Sequence, residues 1–260
     1  MKVKEVMTRE VICVSKNDDL SHVMDLMEKN NITKIPVIED GRVIGVVTDN
    51  KMADKFGSVK SKGVPAARMH ASSIMEKDFI AVTPETDLKE ILTTVGKPGL
   101  TMLIVIEDDK LAGVVTKADL LPLVKGKQKV KDVMTSEVLT VRPYERVIHA
   151  RRIMMDNNIA RIPVVDEGKV IGMLSDKEIA FAVADVKKSF SLGRQHHHIR
   201  ELLVEDVMKT PAITIKEEES VEDAAKKMME HEIGCLPVVD EGGKLKGIIT
   251  RTDLVRLLQN

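Results

Sequence analysis

Two four-residue stretches hold the side chains best placed to do chemistry. Thr116-Lys117-Ala118-Asp119 and Thr250-Arg251-Thr252-Asp253 each set a hydroxyl, a base and a carboxylate within about one turn of chain. A threonine followed three residues later by an acid is a helix capping box, which satisfies orphan backbone N–H groups and needs no ligand. The same helix start also suits an anion, because its free N–H groups and dipole favour negative charge. The residue after the hydroxyl separates the two readings. Lys117 and Arg251 would welcome a phosphate, whereas two weaker copies of the pattern carry an acid there, Asp49 after Thr48 and Asp176 after Ser175. Capping is the better account of Ser175 to Glu178, and anion binding the better account of the Thr116 and Thr250 stretches.

Each stretch follows a glycine and an apolar run, and this larger pattern occurs four times. The methionines that end Val6-Met7, Ile74-Met75, Val133-Met134 and Val207-Met208 fix the register. Adding 29 gives Pro36, Ile104, Pro163 and Pro237; adding 38 gives Gly45, Gly113 and Gly172, with Gly247 one residue late after the turn at Gly242-Gly243. Repeats of this kind outrank any single motif. A second asymmetry appears two residues before the position 29 beyond each methionine. Copies one and three carry bases there, Lys34 and Arg161, while copies two and four carry Met102 and Cys235.

The elements that must position these residues follow from apolar spacing. In copy one, Val11 to Val14 reads as a strand, Leu20, Val23, Met24 and Met27 as a helix face, Ile35 to Ile38 and Val43 to Val47 as a hairpin, and Thr48 as a helix start. The order β-α-β-β-α recurs with first strands at 79–82, 138–141 and 212–215. Gly96-Lys97-Pro98-Gly99 should break the helix of copy two, since proline cannot continue a helix and glycine suits its cap. Residues 57–71 and 187–199 read as linkers. The expected units are 1–60, 61–126, 127–190 and 191–260. Units of about 60 residues bury too little surface to stand alone, so they should pair and share a core.

Composition narrows the function. Lys and Arg number 40 against 41 Asp and Glu, and aromatics are 2% of the chain, which argues against a nucleic-acid surface built on charge and base stacking. No apolar run approaches the ~20 residues of a membrane span and no leader is visible, so a cytoplasmic protein is expected. Cys13 and Cys235 lack metal spacing and read as core residues without a disulfide. His196-His197-His198 has no acid or cysteine at ligand spacing, and no metal is expected; the run reads as a solvated linker or a phosphate contact. With no P-loop, GxGxxG or nucleophile constellation, the chain does not read as an enzyme.

The run V-x-x-h-M, an apolar strand, P-V-h-D/E and G-h-h-[ST]-x-x-D resembles the CBS (cystathionine β-synthase) domain over essentially the whole chain. The four-copy layout is similar to the γ subunit of AMP-activated protein kinase and to standalone archaeal proteins of that kind. The resemblance implies an α/β (α+β) fold of four repeats paired, one with two and three with four, into two Bateman modules forming a disc. It implies a regulatory sensor that binds an adenine nucleotide (AMP, ADP or ATP) and acts on a partner protein, with a homodimer of discs open. Carried over by position, Asp119 and Thr116 would share a ribose site with Lys34 as the phosphate contact, and Asp253 and Thr250 would share one with Arg161. Lys117 and Arg251 would face phosphate. Adenine would lie against Met75 and Ile80 in copy two and Met208 and Ile213 in copy four, which are otherwise ordinary core positions. A module for S-adenosylmethionine or methylthioadenosine is the alternative.

Overall fold

The computed structural model describes residues 1–57, 66–97, 102–189 and 192–259. Copy one comprises β1 (Val14–Ser15), α1 (Leu20–Lys29), β2 (Lys34–Glu39), β3 (Arg42–Thr48) and α2 (Asp49–Gly57). Copy two comprises β4 (Ala81–Val82), α3 (Leu88–Val95), β5 (Met102–Glu107), β6 (Lys110–Thr116) and α4 (Lys117–Leu120). Copy three gives α5 (Val147–Asp156), β7 (Arg161–Asp166), β8 (Lys169–Ser175) and α6 (Asp176–Ser189), then α7 (Leu192–Glu201). Copy four gives β9 (Ile215–Lys216), α8 (Val221–Glu230), β10 (Cys235–Val239), β11 (Leu245–Thr250) and α9 (Arg251–Arg256). No helix among the described residues is long and apolar enough to cross a membrane.

The fourfold register is physical. Each antiparallel hairpin carries its irregularity at the same step, between Val37 and Ile38, Val105 and Ile106, Val164 and Val165, and Val238 and Val239. Copies one and two then clasp each other reciprocally: Thr8 and Val114 exchange backbone hydrogen bonds of 2.9 Å each, and so do Val46 and Glu76. Copies three and four do the same through Thr135 with Ile248 and Met173 with Lys209. The two landmarks of the sequence therefore touch across each pair. A Cβ on Gly113 would lie 2.7 Å from the Thr8 carbonyl and 3.1 Å from the Met7 sulfur, so only glycine fits the crossing; Gly45 meets Met75, Gly172 meets Met208 and Gly247 meets Met134 in the same way.

The elements depart in detail from those expected. The first strands are short: β1, β4 and β9 hold two residues each, and copy three keeps only a parallel bridge between Val141 and Val164. Each leans on a single neighbouring strand, so the ladder ends as soon as the chain turns away. The closing helix of copy two stops at Leu120 and passes into a 3-10 turn at Leu121–Leu123, because Pro122 has no N–H to give. The connection 187–199 is helical over its described residues. Helix α6 runs to Ser189 and α7 follows it, since Ile179, Ala180, Val183 and Val186 form a buried stripe at helical spacing. The expected break at Pro98-Gly99 and most of the stretch 57–71 lie outside the described residues.

The core joins copies both within and between the pairs. The largest apolar cluster joins copy one (Val23, Met27, Ile35, Met52) to copy three (Met154, Ile162, Ile179, Val183) and takes in Ala71 and Ile74 of copy two and Val204 of copy four, while Val3 and Met7 of copy one share a second cluster with Leu88 and Leu103 of copy two. A smaller cluster of Val46, Ile104 and Val114 lies between copies one and two. Burying a side chain such as Met27 is worth about 1.5–3 kcal/mol.

Candidate functional site

The two Asp-containing copies form complete capping boxes. Asp119 Oδ2 accepts from the Thr116 N–H at 2.6 Å and its hydroxyl at 2.6 Å, and Asp253 Oδ2 accepts from the Thr250 N–H at 2.8 Å and its hydroxyl at 2.7 Å. One oxygen of each carboxylate thus holds the helix start. The other differs: Asp119 Oδ1 accepts from the Thr8 hydroxyl at 2.7 Å, while Asp253 Oδ1 has the Arg256 guanidinium at 4.0 Å. Ser175 also turns its hydroxyl to Glu178, as expected for capping.

Thr8 exposes a rule that repeat-by-repeat reading missed. The residue after each methionine landmark faces the third residue of the helix start in the paired copy. In the strong copies the pairs are a hydroxyl with a carboxylate, Thr8 with Asp119 and, by equivalent backbone pairing, Thr135 with Asp253. In the weak copies both members are charged: Glu76 bonds Lys51 at 3.1 Å and Lys209 bonds Glu178 at 3.6 Å. An ion pair thus stands where the strong copies set a hydroxyl against a carboxylate. The signal was legible as complementary identities at 8/119, 76/51, 135/253 and 209/178. Beside the Lys209–Glu178 pair lies a cavity of about 310 Å³ lined by Glu28, Asn31, Lys177, Glu178, Phe181 and Lys209.

All four predicted bases come to the junction where the copies meet. Burial holds Lys34 below the usual ammonium range, against the attraction of Asp49 and Glu76 and with the repulsion of Arg161. Lys117 is 6% exposed and pushed down to about 8, first by burial and then by Arg256 and Lys34. It does not face its own copy's helix start. Its ammonium donates to the Lys97 carbonyl at 2.9 Å and the Thr252 hydroxyl at 2.7 Å, reaching across to copy four, where Asp253 is its carboxylate neighbour. Arg251 makes the opposite crossing: Asp119 of copy two lies in its field, beside Arg161. Arg161 packs flat on Gly234, where an added Cβ would stand 3.0 Å from its guanidinium carbon. Among the described residues, Lys34, Arg161 and Arg251 have no side-chain hydrogen bond and no carboxylate within ion-pair distance, and the Arg251 Nε is buried without a partner.

Of the two acids that sequence reasoning saw as phosphate-repelling, Asp176 is buried and Asp49 half-buried. Burial raises Asp49 above the carboxylate range despite Lys34 and Arg161. Asp176 is 2% exposed and pushed up to about 6 by burial, and the Arg151 guanidinium counters this by pairing with it. Arg151 also reaches Asp54 and, at 3.2 Å, the Asn50 side-chain oxygen, so one guanidinium bolts copy three to copy one.

The methionine candidates fall on the unexpected side of each pair. Met75 packs on Gly45 in the strand leading to Thr48, and Met208 on Gly172 in the strand leading to Ser175, because the clasp hands each opening segment to the partner copy. Ile80 and Ile213, five residues on, stay with their own copies: the Ile80 carbonyl accepts from the Ile104 N–H at 2.9 Å, and half-buried Ile213 packs on the cluster of Ile215, Leu236 and Ile249, while Ile80 is 43% exposed. The residues beside the Thr116 and Thr250 helix starts are instead Met7 and Met134. The run His196-His197-His198 lies within α7, where the rings of His197 and His198 meet edge to face at 5.8 Å.

A family model described as the CBS domain matches residues 3–57, 71–126, 130–185 and 204–260. Over 98% of its length the chain is 26% identical to protein MJ1225 of Methanocaldococcus jannaschii, of which it covers 97%. The crystal structure of MJ1225, a proposed archaeal homologue of the AMP-activated kinase γ subunit, aligns with a TM-score of 0.85 at 23% identity over 99% of this chain and all of that one. A conserved protein of Pyrococcus horikoshii aligns over the same 99% with a TM-score of 0.63 at 19% identity.

Proposed function

The chain belongs to the CBS domain family, with four copies in one polypeptide, and on that premise we propose that it is an adenine-nucleotide sensor with two sites, one per module. The first site joins Thr116 and Asp119 of copy two to Thr8 and Lys34 of copy one; the second joins Thr250 and Asp253 of copy four to Thr135 and Arg161 of copy three. The oxygen that each cap leaves over is the ribose acceptor, Asp253 Oδ1 directly and Asp119 Oδ1 once the Thr8 hydroxyl turns aside, and a carboxylate taking both ribose hydroxyls makes a strong charge-assisted contact. Adenine lies against Met7 with Ile12, and Met134 with Leu139, the partner-copy equivalents of the residues that spacing suggested. AMP, ADP and ATP are the ligands, and the output is a contact with a regulated protein rather than catalysis. The same reading carries a cytoplasmic location and a homodimer of discs as the arrangement to test.

The observation that supports this is the sorting of charge: the carboxylates at the junction are engaged by caps or by Arg151, whereas Lys34, Arg161 and Arg251 have no partner among the described residues. Unmatched, partly buried cations fit phosphate better than the thioether or sulfonium tail of methylthioadenosine or S-adenosylmethionine. Calorimetry of the intact chain against adenosine, AMP, ADP, ATP, NAD, methylthioadenosine and S-adenosylmethionine tests the reading. Phosphorylated adenosines should bind tightest, and Lys34→Ala and Arg161→Ala should weaken ATP several-fold more than adenosine. Preference for either thioether nucleoside, or equal losses for ATP and adenosine, overturns it.

A further inference from the structure

Copy three carries a face that its sister copies lack. Ile148 and Met155 lie about two turns apart on α5, hence on one side of it, and Tyr144 stands just ahead of the helix. The three are 44, 58 and 57% exposed. Arg142 donates to the Tyr144 hydroxyl at 2.9 Å and its guanidinium lies 5.9 Å from the ring centroid, which fixes the ring as an anchor. The repeat register supplies the control. The positions of Tyr144, Ile148 and Met155 hold Asn17, Ser21 and Glu28 in copy one, Glu85, Lys89 and Gly96 in copy two, and Glu218, Glu222 and Met229 in copy four. Beside this stripe lies α7, a helix that among the described residues follows copy three alone. Ile199 and Leu202 pack into the core, the Val147 N–H donates to the Leu202 carbonyl at 2.9 Å, and Arg146 bonds Glu201 at 3.1 Å. Residues 186–200 contain two lysines, two arginines, three histidines and no acid, and Arg194, His197 and Arg200 are exposed on α7. Neither Arg194 nor Arg200 has an ion-pair partner among the described residues.

We propose that α5 and α7 together form a docking face for a protein partner that offers an acidic segment with apolar anchors. The two helices divide the work. On α5 the charges pair within the helix, Arg152 with Asp156 at 3.6 Å and His149 near Glu145 at 3.8 Å, so α5 supplies apolar contact while α7 sets the sign of the charge. A second copy of this chain fits poorly, because a two-fold contact sets the patch against itself and the α7 bases would meet bases. Three anchors also match a hot-spot cluster rather than the ~800 Å² that each side of a stable dimer buries. The proposal supplies the partner contact that the sensor reading needs and rests on that reading for its role alone, since none of the nucleotide residues enters it.

Fluorescence anisotropy on the intact chain, without nucleotide, tests this with three labelled peptides of about 20 residues. One carries leucine at helical spacing and glutamate elsewhere, the second has those leucines replaced by serine, and the third has lysine in place of glutamate. The first should bind at least about 10-fold more tightly than either of the others. Giving copy three the residues of copy one, Tyr144→Asn with Ile148→Ser and Met155→Glu, should weaken that peptide at least about 10-fold. Arg194→Glu with Arg200→Glu should do the same by charge, and serves if the first variant does not fold. Silence of the first peptide, equal binding of the lysine peptide, or affinity untouched by both variants overturns the docking face. A parent chain that sediments as a dimer and turns monomeric on the copy-one substitutions also overturns it, as the face is then a contact between copies. Binding to phosphatidylglycerol vesicles through the same residues does so in favour of a lipid surface. Adenosine calorimetry keeps the two readings apart: nucleotide binding without docking strikes this proposal alone, and docking without nucleotide binding strikes the sensor reading alone.

Discussion

Replacing Asp253 by alanine separates cap from ligand contact, because the structure assigns the two carboxylate oxygens different surroundings. Oδ2 closes the box with the Thr250 N–H and hydroxyl at 2.8 and 2.7 Å, while Oδ1 has only Arg256 at 4.0 Å among the described residues. Loss of a box side chain costs about 0.5–2 kcal/mol. For a chain of this size that lowers Tm by about 2–4 °C per kcal/mol. Losing a hydrogen bond to a charged group costs about 1.5–3 kcal/mol, or about 10- to 150-fold in Kd. Calorimetry with adenosine, which has no phosphate to mask the effect, should therefore lose one of its two binding events while thermal unfolding shifts by only a few degrees. Asp119→Ala should melt lower than Asp253→Ala, since it also strips the Thr8 hydroxyl bond between copies one and two. If Asp253→Ala binds adenosine like the parent chain and merely melts early, the aspartate is a cap and the ribose role is wrong.

Arg151→Ala should be the most damaging single change at the junction, because it leaves Asp176 buried at 2% exposure without a counter-ion. Breaking such a pair costs about 3–5 kcal/mol, so unfolding at pH 7 should fall by at least about 6 °C; an unchanged Tm would show that the pair is worth nothing. If the nucleotide reading holds, AMP binding should strengthen as pH falls from about 8.5 to 7, since Lys117 gains its proton near 8 and adds positive potential, and equal affinity at pH 7 and 8.5 would refute this. The Asp176 shift has a stability sign: its folded value lies above the unfolded one, so it takes stability away as pH rises from about 4 to 6. Gly113→Ala should cost about 1–3 kcal/mol by driving a methyl group into the Thr8 carbonyl, and denaturant melts of the variant beside the parent chain measure it; an unchanged midpoint would refute the close approach.

The repeat register was legible because its landmarks are contact residues. Methionine and glycine recur at a fixed distance since one packs on the other wherever two copies cross, and neither can change without the other giving way. The convergence of Lys34, Lys117, Arg161 and Arg251 was also foreshadowed by their alternation between copies. What reading along the chain could not show is which copy receives which segment. Met75 and Met208 were matched to the helix starts of their own copies, and the reciprocal clasp sends them to the partner. Lys117 was misjudged for the same reason, as its ammonium crosses to Thr252. The helical character after Lys187 is hard to read because lysines, glycine and histidines there outweigh a sparse apolar stripe that resumes at Ile199 and Leu202.

The core that joins copies one and three makes the polypeptide the equivalent of a covalently tethered dimer. Severing it near residue 126 would leave each half with an unpaired oily face formed by Met27, Ile35 and Met52 on one side and Met154, Ile162 and Val183 on the other. Such halves would find each other in trans or pair with themselves, and the faces would hold without the tether. Swinging one module away from the other would lay that greasy spine bare to water, so the packing of α2 on α6 resists such an opening.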